Sequence, residues 1–305
     1  MIDYKKFLKS QKLRFKILQM LSWVPDKTMV KWQYRIKTGR KLDLKNPKSF
    51  NEKLQWLKLY DRKDEYTKMV DKYEAKKYVG DRIGKEYIIP TLGMYDRFED
   101  IDFGELPNQF VIKCTHDSGG LVICKDKSEL DKEAARKKIT ERLKMNGYHY
   151  GREWPYKNVK PRIIVEKYMD DGQGELKDYK FFCFNGEPRI ILVCSERSKD
   201  LKETWFDENF KKLDIVESGH KNDHTIKKPK KLKEMMELSR VLANGMKFSR
   251  IDFYEINGKV FFGEITLFPA SGFEKFDPEE WNDKLGSWID LDEKDEASLK
   301  LERKK

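Results

Sequence analysis

Apolar and polar positions change rhythm once along this chain. Through roughly residue 80 the apolar residues recur at helical spacing. Phe7, Leu8, Leu13, Phe15, Ile17, Leu18 and Leu21 make a loosely amphipathic first segment that ends before Pro25. "NPKSFNEKLQWLKLYDR" predicts a second helix, with Ser49 as N-cap and Glu52 completing a capping box. "DEYTKMVDKYEAKKYVGDRIG" predicts a third. From "EYIIPTLGMYD" onward the apolar positions gather into short β-rich runs that alternate with helices. "QFVIKCTHDSGGLVIC" reads as two strands around a glycine loop, and "KEAARKKITERLKMN" as a helix. "PRIIVEKYM", "DYKFFCFNGEPRIILVCS" and "ETWFDENF" read as strands, the second with an Asn185-Gly186 hairpin turn. "PKKLKEMMELSRVLANGM" predicts an amphipathic helix with Leu232, Met235, Met236, Leu242 and Met246 toward a core. A charged tail begins near Asp292. Antiparallel hairpins mixed with helices, without regular βαβ alternation, predict an α+β fold.

The run "SRIDFYEINGKVFFGEITLFPASG", Ser249 to Gly272, reads as a hairpin that holds Arg250, Asp252 and Glu264 among its aromatics. Its Asn257-Gly258 turn allows two registers. A two-residue loop pairs Ile256 with Lys259 and sends Asp252 and Glu264 to opposite sides of the ribbon. A three-residue loop, Ile256 to Gly258 with a bulge at Gly258, shifts the pairing by one. Ile251, Phe253, Phe261, Ile265 and Leu267 then share one face. The other face carries Arg250, Asp252, Tyr254, Val260, Phe262, Glu264 and Thr266. A one-residue slip inverts every side chain, so the cleaner segregation favours the bulged register. Arg250 then lies opposite Glu264, and the two carboxylates are diagonal neighbours. Carboxylates this close repel unless a cation sits between them. Magnesium suits such a pair, since it combines one or two carboxylates with substrate phosphates. A cross-strand Arg250–Glu264 pair with Asp252 solvated is the plainer alternative.

Composition narrows the partners. With 305 residues, 38% hydrophobic and 13% aromatic, the chain can bury a sizeable core as one large domain or two smaller ones. It has no apolar run long enough to span a bilayer. Its basic start lacks the continuous apolar centre of a signal peptide, so a cytoplasmic location is expected. Cys114, Cys124, Cys183 and Cys194 form no metal-ligand spacing and read as buried free thiols. The net charge of +11 calls for an anionic partner: nucleotide phosphate, acidic polysaccharide, anionic lipid or nucleic acid.

Other chemistry-bearing residues follow in order. Lys72 precedes a helix. Lys113 ends an apolar strand just before the loop Ser118-Gly119-Gly120, where backbone N–H groups can close on phosphate oxygens. Glu166-Lys167-Tyr168-Met169 ends another strand, and Asp178 and Lys180 share a strand face. The succession of "DK", "VIK…GG", "VEKYM", "RID" and "GEIT" resembles the ATP-grasp superfamily over roughly residues 71 to 275. The segments "LDLKNPKSFNEKLQWLKLYDR" and "DYKFFCFNGEPRII" look more particularly like the TupA-like ATP-grasp family. That family is associated with bacterial cell-surface polysaccharide and teichuronopeptide assembly.

The resemblance implies two α+β subdomains with antiparallel sheets gripping a nucleotide, a glycine-loop part at about 105–165 and a metal-site part at about 166–291. A helical region over residues 1–70 would precede the catalytic 71–291, and the tail 292–305 would follow. It implies ATP and Mg²⁺ as cofactors. Lys72 and Lys113 would contact phosphates under a loop of Ser118, Gly119 and Gly120. Glu166, Lys167 and Met169 would line an adenine cleft, with Asp178 or Glu175 toward the ribose. Lys180 would lie near the phosphates, Asp252, Glu264 and Thr266 at the metal, and Arg250 at the transferring phosphoryl group. Thr266 stands where the family usually has asparagine, which leaves a second magnesium in doubt.

The implied activity is carboxylate–amine ligation through an acyl phosphate. It would join an amino acid or peptide to a uronic acid of a surface polysaccharide or lipid-linked saccharide precursor. A first helix carrying Lys5, Lys6, Lys9, Lys12, Arg14 and Lys16 could rest on the inner face of an anionic membrane, with packing onto the catalytic body as the plainer alternative. No covalent protein nucleophile is required, and none of the nucleophile–histidine arrangements is present. His116 reads as a loop histidine bonded to backbone; His149, His220 and His224 show no ligand spacing. A glycosyltransferase using Asp100 and Asp102 as a D-x-D site, and a sugar kinase, are the competing enzymes. Nucleic-acid binding finds no motif in this chain.

Overall fold

The computed structural model describes residues 10–172, 175–197, 200–217 and 220–291. The expected charged tail from Asp292, and Phe7 and Leu8 of the first segment, lie outside the described residues. Helix α1 (Gln11–Met20) starts at Ser10, whose hydroxyl accepts from the Leu13 amide. A short 3-10 turn (Leu21–Trp23) leads into α2 (Asp26–Thr38), which stops at Gly39 in the left-handed region. Helix α3 (Phe50–Tyr60) opens with the predicted capping box: the Glu52 amide donates to Ser49 and the Ser49 amide to Glu52.

The third expected helix is two. Helix α4 (Glu65–Val70) and helix α5 (Glu74–Ile83) are separated at Asp71–Tyr73. Asp71 makes the break, accepting through Oδ1 from the amides of Tyr73 and Glu74 while Arg162 holds Oδ2 at 3.0 Å. The amide of Lys72 is thereby left to donate to Thr115 O at 3.0 Å. A single continuous helix would have buried that amide in its own ladder.

Two antiparallel sheets follow. The first has four strands in the order β1 (Thr91–Tyr95), β4 (Ile163–Lys167), β2 (Phe110–Cys114), β3 (Leu121–Cys124). Helix α6 (Lys132–Leu143) packs Ala135 and Ile139 against Phe110, Ile112, Ile163 and Val165, which form a small core of their own. This sheet draws on residues 91–167, a wider span than the glycine-loop part expected from sequence.

The second sheet has five strands in the order β10 (Lys259–Thr266), β9 (Phe248–Ile256), β5 (Asp178–Phe184), β6 (Glu187–Ser195), β7 (Lys202–Asp207). Strand β5 is buried along its whole length. Asn185 and Gly186, both at positive φ, turn β5 into β6. Helix α7 (Tyr148–Gly151) precedes β4 in sequence; α8 (Leu232–Ala243) covers the second sheet with the expected Leu232, Met235, Met236 and Leu242 inward. The short pair β8 (Val216–Glu217) and β11 (Phe276–Asp277) precedes α9 (Glu280–Ser287). Val30, Tyr34, Phe50 and Leu54 of the amino-terminal helices share one core with Phe181, Phe184, Phe248 and Ile251. Those helices are thus part of the same packed body as the second sheet.

Candidate active site

The 249–272 hairpin takes neither register expected from sequence. Its turn is the tight one: Ile256 pairs with Lys259 across Asn257 and Gly258, whose φ angles are 51° and 74°. The extra residue sits further along, where pairing slips between Phe262 and Glu264 and leaves Gly263 bulged. The proposed bulge at Gly258 is therefore wrong in position, although one extra residue is what brings the carboxylates to one face. Glu264 lies directly opposite Asp252, and Thr266 opposite Arg250, instead of Arg250 facing Glu264. Phe262, not Phe261, joins Phe253 on the core side, their rings 6.3 Å apart edge to face. Glycine relieves crowding at the bulge, because a Cβ there would come 3.1 Å from both Asp252 O and a Tyr254 ring carbon.

Across the next pairing Lys180 stands opposite Asp252. Its ammonium reaches Asp252 Oδ2, and Asp178 Oδ2 lies 3.6 Å away. Arg250 forks onto Asp252 with two bonds of 2.8 Å and donates to Glu264 Oε1 at 2.7 Å. Thr266 Oγ1 donates to the same Glu264 oxygen at 3.1 Å. Burial and Arg250 pull the Lys180 pKa down, but Asp252, Asp178 and Glu264 outweigh them and raise it. For Glu264, burial favours the protonated form, yet Arg250, Lys180 and Lys72 hold the carboxyl well below the usual range. Cations thus already grip both carboxylates.

The first sheet faces this group across a cleft of about 1140 Å³, counted out to its open mouth. Lys72, Lys113, Ser118, Gly120, Glu166, Asp178, Lys180, Asp252 and Glu264 all line it. Glu166, nearly inaccessible, is bridged by Lys113 at 2.6 Å and by Lys76 at 2.5 Å. Burial would raise the Glu166 pKa; the two lysines more than offset this and lower it. Lys72 Nζ donates to Asp117 O at 2.8 Å. Asp178 holds Arg197 through Oδ2, while its buried Oδ1 has no hydrogen-bond partner among the described residues.

Several expected residues stand elsewhere. Alternation along β4 that turns Glu166 into the cleft turns Lys167 out to solvent, and Lys167 does not line it. Met169 lies two residues beyond the end of β4, half-buried and away from the lining; Glu175 is exposed and also away from it. Gly119 does not line the cleft either. Its amide and that of Gly120 donate to Asp117 Oδ2 at 3.0 and 2.9 Å, so the loop's N–H groups serve a protein carboxylate. Arg142 holds Asp117 in turn with two bonds of 2.5 and 2.6 Å. A Cβ at Gly119 would collide with Arg142, and one at Gly120 with Cys114. His116 Nε2 lies 2.9 Å from Met145 O, the backbone bond expected of it. All four cysteines are free and buried. Asp100 pairs with Arg97 and Asp102 accepts from the Gly104 amide, both on the surface, so the D-x-D spacing is two local turns.

Lys76, Arg197, Tyr156 and Tyr254 line the cleft without having been singled out as ligands. Tyr254 was legible as a member of the polar hairpin face. Lys76 stands four residues after Lys72, a spacing that in a chain so rich in lysine says little.

Beyond the hairpin the chain passes through Ala270, Ser271 and Gly272, all at positive φ. Lys58 of α3, fully buried, supports this turn by donating to Ser271 O at 2.7 Å, Gly151 O at 2.8 Å and Gln55 Oε1 at 2.9 Å. Burial pulls Lys58 down to about 7, against the attraction of half-buried Glu153, which accepts from the Ser271 hydroxyl.

Oxygen donors alone, two of them carboxylates face to face, suit a hard divalent cation. Among the described residues no group of three or more His, Cys, Asp or Glu side chains is placed to hold a metal, so Asp252 and Glu264 would need oxygens from a substrate. The unpartnered Asp178 Oδ1 suits a hydroxyl donor.

A family model described as TupA-like ATPgrasp matches residues 52–290. Among solved structures, the D-alanine–D-alanine ligase of Bacillus anthracis complexed with ATP is similar at 18% identity and a TM-score of 0.41, covering 78% of this chain and 67% of that one. The D-alanine–D-alanine ligase of Helicobacter pylori is similar at 16% identity and a TM-score of 0.40, covering 80% and 70%. The ATP-grasp ligase PsnB complexed with minimal precursor, Mg and ADP follows at 8% identity and 0.39, covering 78% and 66%. A second structure of the B. anthracis ligase is covered over 57% of its length. No curated protein matches.

Proposed function

The chain belongs to the TupA-like ATP-grasp family, and on that footing we propose that it is a magnesium- and ATP-dependent carboxylate–amine ligase. The observation that carries the reading is the facing pair Asp252 and Glu264, set by the Gly263 bulge at the floor of a cleft rimmed by Lys72, Lys113 and Lys180. A carboxylate substrate would be phosphorylated to an acyl phosphate, and an amine would displace phosphate to form the amide. Asp252 and Glu264, with Thr266 beside them, would hold Mg²⁺, which when bound supplies neutralisation of phosphate charge. Lys72, Lys113 and Lys180 would bind phosphate oxygens. Arg250, held within bonding distance of both carboxylates, would stabilise charge on the transferring group. Asp178 Oδ1 would accept from a ribose hydroxyl, and Glu166 would flank the base, oriented by Lys76 and Lys113.

For substrates we propose an amino acid or short peptide as amine donor and a uronic acid of a surface polysaccharide, or of its lipid-linked precursor at the membrane's inner face, as acceptor. The basic chain suits that acidic acceptor. The test is phosphate release from ATP and Mg²⁺ that requires both a uronate and an amino acid, with hydroxylamine trapping of the acyl phosphate as hydroxamate. Transfer of phosphate to a sugar hydroxyl without phosphate release would mean a kinase. UDP release from a sugar nucleotide would overturn the reading in favour of a glycosyltransferase.

A further inference from the structure

Helices α1 and α2 each bury one face and leave a second apolar face uncovered. On α1, Phe15 is buried against the rings of His149 and Tyr150, at 6.0 and 5.3 Å. Leu13, Lys16 and Met20 are exposed, at a three-then-four spacing that places them on one stripe of the helix. Trp23 extends the spacing by three more. Met20 is 76% exposed and Trp23 77%, the two highest values among the large hydrophobic side chains described. On α2 the inward positions are Met29, Val30, Gln33 and Tyr34. Lys31, Trp32, Arg35 and Ile36 are exposed, so two apolar and two basic side chains alternate on the outer face; Trp32 is 52% exposed and Ile36 48%.

Charge on this segment is one-sided. Residues 11–38 carry seven Lys or Arg and a single acid, Asp26, whereas the whole chain carries 64 basic against 53 acidic residues. Asp26 is itself taken by Arg62 at 2.8 Å. Among the described residues no helix is long and apolar enough to cross a membrane. Exposed apolar side chains, tryptophans among them and basic residues interleaved with them, are what an in-plane interfacial helix presents.

We propose that the exposed faces of α1 and α2, through Met20, Trp23, Trp32 and Ile36 with Lys16, Lys31 and Arg35, dock the protein on an anionic lipid bilayer. A second copy of the chain is a poorer occupant, because a self-complementary contact would set like charges against each other. A polynucleotide would satisfy the lysines and stack on tryptophan, but it offers nothing to Leu13, Met20 and Ile36. The inference deepens the lipid-linked acceptor in the proposed function by naming the surface that would meet the lipid, and it stands or falls separately from the ligase chemistry.

The test is co-flotation of the full chain with vesicles of phosphatidylcholine alone or with phosphatidylglycerol added, alongside sedimentation velocity. Wild type should float with anionic vesicles and not with neutral ones, and salt should weaken the binding. Trp23→Ser with Trp32→Ser should lower the vesicle-bound fraction at least about tenfold while leaving ATP turnover in solution unchanged. Lys31→Glu with Arg35→Glu should do the same. Failure of wild type to bind anionic vesicles, or full binding by both double variants, would overturn the proposal. So would a vesicle-indifferent dimer that the tryptophan variant dissociates, or retention by polynucleotide without vesicle binding. A ligase that proves inactive on uronates yet floats as described would leave the docking surface standing.

Discussion

Gly263 is the point on which the position of both carboxylates turns, and replacing it by alanine tests that directly. The new Cβ would stand 3.1 Å from Asp252 O, 3.1 Å from a Tyr254 ring carbon and 3.4 Å from Asp252 Cβ. The ring can yield by a few tenths of an ångström; the carbonyl belongs to a strand paired on both sides, with β5 and β10. Overpacking of this kind costs about 1–3 kcal/mol, and the lower half of that range fits a single methyl with one yielding neighbour. The effect on chemistry should be larger, since relief of the contact moves Asp252 away from Glu264, and a displacement of about 1 Å at a site can lower rate on the order of a hundredfold. Gly258→Ala is the paired control. Its φ is +74° and nothing lies within 4 Å of the added Cβ, so only left-handed strain is introduced, about 1–2 kcal/mol. Both variants should unfold earlier in urea by similar amounts, and only Gly263→Ala should lose Mg²⁺-dependent ATP turnover. Equal loss of turnover in the two, or a fully active Gly263→Ala, would refute the claim that the bulge at Gly263 aligns the acids.

Glu264→Gln should keep the circular dichroism spectrum and reduce Mg²⁺-ATP turnover by about 10²–10³-fold, measured as phosphate release; near-normal turnover would remove Glu264 from the metal. Glu166 has a carboxyl pKa lowered below its ordinary 4.5 by Lys113 and Lys76 against the opposing effect of burial, so the unfolded chain binds the proton more tightly. Its contribution to stability is present above about pH 4.5 and is lost as pH falls below it, so Glu166→Gln should flatten the acid limb of a stability-versus-pH curve measured by urea unfolding. Lys58→Met removes three hydrogen bonds made by a fully buried ammonium and takes away the cation that attracts half-buried Glu153; a loss of about 3 kcal/mol is expected, and adding Glu153→Gln should recover part of it in thermal unfolding. No recovery would mean that the lost carbonyl contacts, not the stranded charge, dominate.

Much of this architecture was readable from local pattern. The capping box at Ser49, the Asn185-Gly186 turn and the inward face of α8 each depend on residues within a few positions of one another. The hairpin shows where such reading stops. Segregation of apolar and charged residues demands one extra residue somewhere in the ribbon, but two glycines can supply it, and only the crowding of Asp252 and Tyr254 over Gly263 decides. The break before α5 was hidden for the same reason, because Arg162, far along the chain, fixes the Asp71 that makes it. Lys76 and Arg197 were missed since their partners, Glu166 and Asp178, are brought to them by tertiary packing. The hold of Asp117 on the amides of Gly119 and Gly120 has no sequence mark.

The pairing inside the cleft bears on how metal and nucleotide would enter it. Each acid there is matched by a base: Asp117 by Arg142, Glu166 by Lys76 and Lys113, Asp178 by Arg197, Asp252 by Lys180 and Arg250, Glu264 by Arg250. A polyphosphate alone would have to compete with Asp252 and Glu264 for Lys180 and Arg250. A divalent cation alone would have to compete with those same bases for the carboxylates. Entering together, the two exchange partners: the cation takes the acids while the bases pass to phosphate oxygens, and no charge is left unpaired in a partly buried site. On the proposed reading, then, affinity for nucleotide and affinity for metal are linked through Arg250 and Lys180, and each must raise the other by the same factor.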